Sequence, residues 1–403
     1  MPTAEGAGTG LGGALRRVLG IGGGVAAEAG ASMDRLATYQ AIENLRKRPL
    51  IVYATSTRPN VRAAMGGDAV REFIDQMDLI PRGERAVDVL LHSSGGDPLA
   101  AWKLMSVLRE RFASVAVLVP YMAFSAATLF SLGADEILMH PHASLGPIDP
   151  QITVFGKDRE ELHFSYEDVG AFLRFLKSEV GLSDQGSLAE IVDKLFSTLD
   201  PLKVGYAQRA SELSTDVGER LLKLHESRGA PARDDARSIA ERLNKAFFAH
   251  GDAVSRTRAR ELGLAVIDPD PELEAAMWAA FLALESAMEL RDPFNPLDLL
   301  RADKAAAEFL QPPAPLRLAP NTPMHLVEQA FQAHANAALQ TAQRGSGAEV
   351  RCRLCAAVVE STRLQRAFIQ ELALTGVRMG LEIKVAVTAG GGWQSAGPGG
   401  PKR

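Results

Sequence analysis

Ser125 is the residue around which chemistry could be built. It follows the apolar run 115–119 and the short stretch 120–124, and it opens a helix-forming run. Its near neighbours Ala123, Ala126 and Ala127 are small, so a sharp turn can form there without clashes. A strand, a tight turn and a helix start together expose a serine nucleophile, although the glycines of G-x-S-x-G are absent. The helix N-terminus adds free N–H groups and the positive end of a dipole, both favourable to an oxyanion beside the serine. Serines also serve commonly as plain helix caps at this position, and the local sequence leaves both roles open. The second feature is Ser93-Ser94-Gly95-Gly96-Asp97, at the end of the expected strand 87–91. Adjacent glycines let backbone N–H groups face a site where a side chain would interfere. The carboxyl end of a strand is also where α/β sheets bind ligands. An ordinary β–α turn would share these features.

The elements around these residues alternate. A helix is expected over 34–47, a strand over 50–53, a helix over 66–78 and a strand over 87–91. Pro98 suits the first position of the next helix. That helix carries Ala101, Leu104, Met105, Leu108 and Phe112 at helical spacing. A strand over 115–119, a helix over 125–133 and a strand over 136–139 follow, and this order argues for a parallel α/β layer. Residues 158–230 read as a helical insertion, with helices near 166–180, 187–199 and 203–228. Helices at 238–249 and 255–262 lead to a short strand at 264–267, with Gly263 as a natural C-cap. Residues 271–322 read as Pro-containing linker and helices, with linkers around 293–296 and 312–320. Residues 323–389 read as a small C-terminal α/β region, with a helix over 323–343 and a hairpin around Thr375-Gly376. Residues 1–32 and 390–403 are expected to be disordered tails, leaving 33–270 as the main domain.

In combination, the segments LLHSSGGDPLAAWKL, VPYMAFSAATLFSLGADEILM, HPHASLGPIDPQI, DPLKVGYAQRA and HGDAVSRTRARELGLAV carry a resemblance. They resemble the Clp protease proteolytic subunit and signal-peptide peptidase A, and more closely the SDH-type (serine dehydrogenase proteinase) Clp-fold serine proteinases. The resemblance extends over roughly residues 34–268, and Gly146-Pro147-Ile148-Asp149-Pro150-Gln151 is its most family-specific part. It implies an α/β Clp/crotonase-like fold of ββα units, a serine peptidase or esterase activity and an acyl-enzyme. It places Ser125 as the nucleophile, and Gly95 or Gly96 with the Ala126 amide as the oxyanion hole. The Ser, Asp, His order described for the SDH type would make Asp149 and His250 the other catalytic residues. Lys177 is the alternative base, from the helix where signal-peptide peptidase A enzymes supply a lysine. His140 and His142 are expected to be surface or supporting residues. Two other classes share the fold: an acyl-CoA enzyme using the oxyanion hole without a nucleophile, and a non-catalytic oligomeric scaffold.

Composition narrows the classes further. The 403 residues are 46% hydrophobic and 23% charged, the profile of a soluble globular chain. A net charge of −5 with no like-charge block argues against nucleic acid as a partner. The only cysteines, Cys352 and Cys355, form half a zinc site at most, and secretion with a disulfide framework is not expected. The eight histidines include no H-E-x-x-H and there is no P-loop, so no metal or cofactor is expected. The charge-free stretch 112–134 is long enough to span a bilayer. Its β-branched start, Pro120, and the hydroxyls of Ser125, Thr128 and Ser131 suit a buried strand, turn and helix better. With neither a signal peptide nor a membrane anchor in the sequence, a cytoplasmic homo-oligomer acting on polypeptide is expected, with a partner to deliver substrate as an option.

Overall fold

The computed structural model describes residues 30–155, 161–224, 235–245, 253–311, 315–343, 349–379 and 382–395. Helix Gly30–Arg46 (α1) precedes strand Leu50–Thr55 (β1), helix Ala69–Asp78 (α2) and strand Ala86–His92 (β2). Helix Pro98–Arg111 (α3), strand Ser114–Val119 (β3), the two-residue strand Met122–Ala123 (β4) and helix Ala126–Leu132 (α4) follow. Next come strands Glu136–Met139 (β5) and Ser144–Leu145 (β6), the latter paired with β4, and the antiparallel pair Ile152–Phe155 (β7) and Glu161–Phe164 (β8). Helices Tyr166–Ser178 (α5), Gln185–Thr198 (α6) and Pro201–Leu222 (α7) form the insertion. Helices Ala236–Lys245 (α8) and Arg256–Glu261 (α9) lead to strand Val266–Ile267 (β9). Helices Pro271–Ala287 (α10), Pro296–Ala302 (α11), Lys304–Leu310 (α12) and Met324–Gln343 (α13) precede strands Glu349–Glu360 (β10), Gln365–Met379 (β11) and Glu382–Ser395 (β12).

The main sheet has the order β12-β11-β10-β1-β2-β3-β5-β9. From β1 to β9 its pairs are parallel. All six residues of β1 are buried, as a parallel strand covered on both faces requires. The period of two sorts the side chains. Val87, Val89 and Leu91 join Val115, Val117 and Val119 in the core packed against α2, α3 and α4. Leu90, Ala116 and Leu118 face the other way, onto Tyr39 and Ile42 of α1 and Met277 and Phe281 of α10. The result is a three-layer α/β/α sandwich. Within it the uncharged run 112–134 is divided among β3, β4 and α4, and no helix among the described residues is long and apolar enough to cross a membrane.

Strands β10, β11 and β12 continue the main sheet, because β10 pairs antiparallel with β1, Val52 opposite Glu360. Glu360, fully buried, accepts from Arg35 Nε (2.8 Å), Arg35 Nη2 (2.9 Å) and the Tyr39 hydroxyl (3.0 Å), fastening β10 to α1. Two expectations fail here. Thr375-Gly376 is no hairpin turn: it lies inside β11, opposite Ala386 and Val385. Gly376 is required by packing, since a Cβ there would stand 2.9 Å from Leu300 Cδ1. The glycine run 390–392 is not a disordered tail but part of β12. Gly391 has φ 155° and lies so close to Ile369 that a Cβ would meet its carbonyl oxygen. Residues 293–296 are also fixed: Phe294 is buried and donates its N–H to Pro59 O at 3.0 Å, and Asn295 caps α11.

Candidate active site

The turn after β2 is held on both sides by backbone. Ser93 N–H donates to Met122 O (3.0 Å), and Phe124 N–H donates back to Ser93 O (3.0 Å). On the other side Met65 N–H donates to Gly95 O (2.7 Å), and Asp97 N–H donates to Met65 O (2.9 Å). The Ser93 hydroxyl shares a hydrogen bond with Thr55 Oγ1 (2.7 Å) and accepts from Gly95 N–H (3.1 Å). Asp97 caps α3 by accepting from Leu99 N–H at 2.9 Å, with Pro98 in the first turn. Both glycines are needed in their places. Gly95 has φ 112°, and a Cβ there would stand 2.6 Å from Ser125 Cβ. Gly96 has φ 152°, and a Cβ there would run into the Met65 backbone.

Ser125 stands against that turn at the start of α4, with φ 52° and ψ −116°. A non-glycine residue at positive φ is strained and must be held by its surroundings. Here the surroundings are plain: Ala127 N–H bonds Phe124 O (2.9 Å), and Leu129 N–H bonds Ser125 O (3.0 Å). Thr128 Oγ1 donates to Ala123 O (2.7 Å) and accepts from Gly146 N–H (3.1 Å), fastening the elbow to the 146–149 segment. Ser125 is half-buried and its hydroxyl does not cap the helix. Among the described residues the Ser125 hydroxyl, the Gly96 N–H and the Ala126 N–H have no hydrogen-bond partner, whereas the Gly95 N–H is occupied by Ser93.

Ile148 N–H donates to Leu243 O (3.0 Å), and Ile148 O accepts from Ser214 Oγ (2.5 Å), so the segment is anchored just before Asp149. Asp149 is half-buried and accepts from Gln151 Nε2 at 2.9 Å. His250 lies outside the described residues. Val254, four positions later, exchanges both backbone hydrogen bonds with Leu145 (3.0 and 2.8 Å). Lys177 is an exposed side chain of α5. His140 is buried and stacks on Trp278, its ring centroid 5.1 Å away. Burial, with His142 and Arg256 nearby, pushes its pKa down to about 4. His142 is exposed.

One residue at this site was not singled out from sequence. His92, immediately before Ser93, is fully buried. Its Nε2 shares a hydrogen bond with Thr57 Oγ1 (3.1 Å), and it packs on Tyr121 and Phe281. Burial pushes its pKa down to about 4, so the ring is neutral near pH 7. Its polar type directly after the apolar run 89–91 was the available signal. Cys352 and Cys355 are free thiols on β10. Three residues of extended strand separate their Cα atoms by roughly 10 Å, too far for a disulfide. Among the described residues no cluster could hold a metal ion.

Residues 69–158 match the sequence model of the ClpP-like SDH-type serine proteinases. Over this segment the chain is similar to that family. The segment holds both the Gly95-Gly96 turn and the Ser125 elbow, and the fold is of the Clp/crotonase-like type. Two uncharacterised proteins of Methanocaldococcus jannaschii are similar to it. One is 37% identical over 81 residues, 20% of this chain and 27% of the relative. The other is 41% identical over 69 residues, 17% of this chain and 24% of the relative. The chain thus spans about a quarter of the length of these relatives. Among solved structures, the 1510-N membrane-bound stomatin-specific protease is 14% identical, with a TM-score of 0.33 over 55% of this chain and 80% of the other.

Proposed function

We propose that this chain is a serine peptidase that cleaves polypeptide through an acyl-enzyme on Ser125. The observation that carries the reading is the strained Ser125 elbow, hydroxyl uncommitted, pressed against a turn that only glycine permits. Ser125 Oγ attacks the scissile carbonyl, His250 takes its proton and returns it to the leaving amine, and Asp149 orients the imidazole. The pairing of Val254 with Leu145 supports this choice of base, because it ties the chain after His250 to the strand that leads to Asp149. The exposure of Lys177 weighs against the alternative, since a lysine base needs burial to lose its proton near pH 7. The oxyanion is held by the N–H groups of Gly96 and Ala126, while Gly95 makes room for the elbow. Water then hydrolyses the ester. The chain works as a cytoplasmic homo-oligomer, with exposed Phe172, Phe175 and Tyr206 of the insertion available for contact between copies.

The test is steady-state cleavage of an unfolded protein by the full chain and its variants. Ser125→Ala, His250→Ala and Asp149→Asn should each lower kcat/KM, with loss on the order of 10⁴ or more for the serine and histidine. Lys177→Ala should cleave normally. A dead Lys177→Ala beside a near-normal His250→Ala would replace the triad with a Ser-Lys dyad.

A further inference from the structure

Beside the catalytic turns lies a groove of about 610 Å³. Ser94, Met122, Arg62, Ala63 and Ala64 are among the residues that line it. The same three residues, 62–64, also line a second hollow of about 410 Å³. The walls of this second hollow come from the two ends of the chain: Tyr53 of β1, Ala356 and Ala357 of β10, Phe368 of β11 and Trp393 of β12. None of its lining residues lies within 69–158, the stretch that matches the proteinase family.

The hollow is built rather than incidental. Gln370 Nε2 donates to Arg62 O at 2.7 Å, pinning the 62–64 segment to β11. Trp393 Nε1 donates to Asp68 Oδ2 at 2.7 Å, and its ring stands edge-on to Phe368 with centroids 5.7 Å apart. Gly391 allows β12 the close approach to β11 that brings Trp393 there. The walls are aromatic and small-aliphatic. Their charges, Arg62 and Asp68, are opposite in sign, and Asp68 is already hydrogen-bonded to Trp393. A volume near the lower end of the ~300–1,000 Å³ range of small-ligand pockets suits a single side chain.

We infer that this hollow is a specificity pocket that takes an aromatic or large aliphatic side chain of the polypeptide substrate, a few residues from the scissile bond. The inference rests on the peptidase reading for its substrate. Because Met65, next in the chain to Ala64, is hydrogen-bonded to both Gly95 and Asp97, a peptide in the groove passes from the catalytic turn to the 62–64 segment. The C-terminal strands would then set which polypeptides are cut, while the family-matched segment performs the chemistry.

The experiment separates binding from turnover. Labelled peptides that differ only in carrying Phe, Leu, Ser or Glu at each position in turn are titrated against full-length Ser125→Ala protein by fluorescence anisotropy. The same is done after adding Ala64→Trp, which fills the hollow from an exposed position, or Trp393→Ala, which opens it. Phe and Leu at one position should strengthen binding at least about tenfold over Ser or Glu, and both changes should abolish that preference. Equal binding across the series, or a preference that survives Ala64→Trp, would overturn the pocket. Fluorophosphonate labelling of Ser125 in otherwise unchanged protein reports on the peptidase reading separately. A pocket-dependent preference without labelling would retain the pocket and discard the peptidase. Labelling without the preference would do the reverse.

Discussion

Ser165 and Ser125 each stand at the residue before a helix, yet their backbones and hydroxyls are used in opposite ways. Ser165 has extended angles, φ −103° and ψ 167°, and forms a capping box with Asp168. Ser125 has φ 52° and ψ −116° and caps nothing. A serine cap stabilises its helix by about 1 kcal/mol, and a non-glycine residue at positive φ costs on the order of 1–3 kcal/mol. Ser125 thus lacks the stabilising bond and carries the strain, with the glycine turn and Thr128 over-determining its position. Ser165 is a helix start that serves the helix. Ser125 is one in which packing has freed a hydroxyl at the helix's positive end, as nucleophilic attack requires.

Gly95→Ala should sharpen the comparison most. The new Cβ collides with Ser125 Cβ and Phe124 O, so the elbow must move. Steady-state cleavage should fall by at least about 10², while circular dichroism stays near that of the parent. Ser165→Ala should cleave at the parental rate, and a Gly95→Ala enzyme of full activity would break the argument from close approach.

The two regions should also part company in acid. His92 lies fully buried just before the glycine turn, while His163, two residues before Ser165, is exposed. Unfolded, the His92 ring takes a proton below about pH 6.5; folded, it resists until about pH 4. Its contribution is full above pH 6.5 and is lost as pH falls from 6.5 to 4, by about 3 kcal/mol for the whole shift. His140, pushed down to the same level, adds to the same trend. Urea unfolding at pH 7, 5.5 and 4.5 should show this slope, flattened in His92→Gln. Identical slopes in parent and variant would remove His92 from the account.

The smallest effects separate the serines by stability alone. Ser165→Ala should cost about 1 kcal/mol as its cap is lost. Ser125→Gly should instead gain about 0.5–1 kcal/mol by releasing the positive φ. Thermal midpoints of the two variants should move in opposite directions, and a destabilised Ser125→Gly would mean that no strain is held there.

Where one physical cause dominated, the sequence was readable. β2, β3 and β5 are short, mostly apolar segments bounded by turn residues, and Asp97-Pro98 marks the start of α3. The positions of the glycine turn and the serine elbow followed from these neighbours. What could not be read was tertiary. Glycine at 376 and 390–392 reads as turn or tail, yet Gly376 and Gly391 are there because another part of the molecule comes too close for a Cβ. The positive φ of Ser125 has no local signature, since the elbow is packed by Gly95 and Gly146, which come from elsewhere in the chain. The pocket against β10–β12 is equally invisible, because its walls lie some 300 residues apart in the chain.

The central claim is that the Ser125 hydroxyl is a primed nucleophile. The most direct measurement treats the folded full-length protein with a fluorophosphonate probe at neutral pH and maps the modified peptide by mass spectrometry. The account predicts one labelled residue, Ser125, with Ser165 untouched and labelling lost in Ser125→Ala. Labelling at another serine, or none in protein that retains its folded circular-dichroism spectrum, would contradict it.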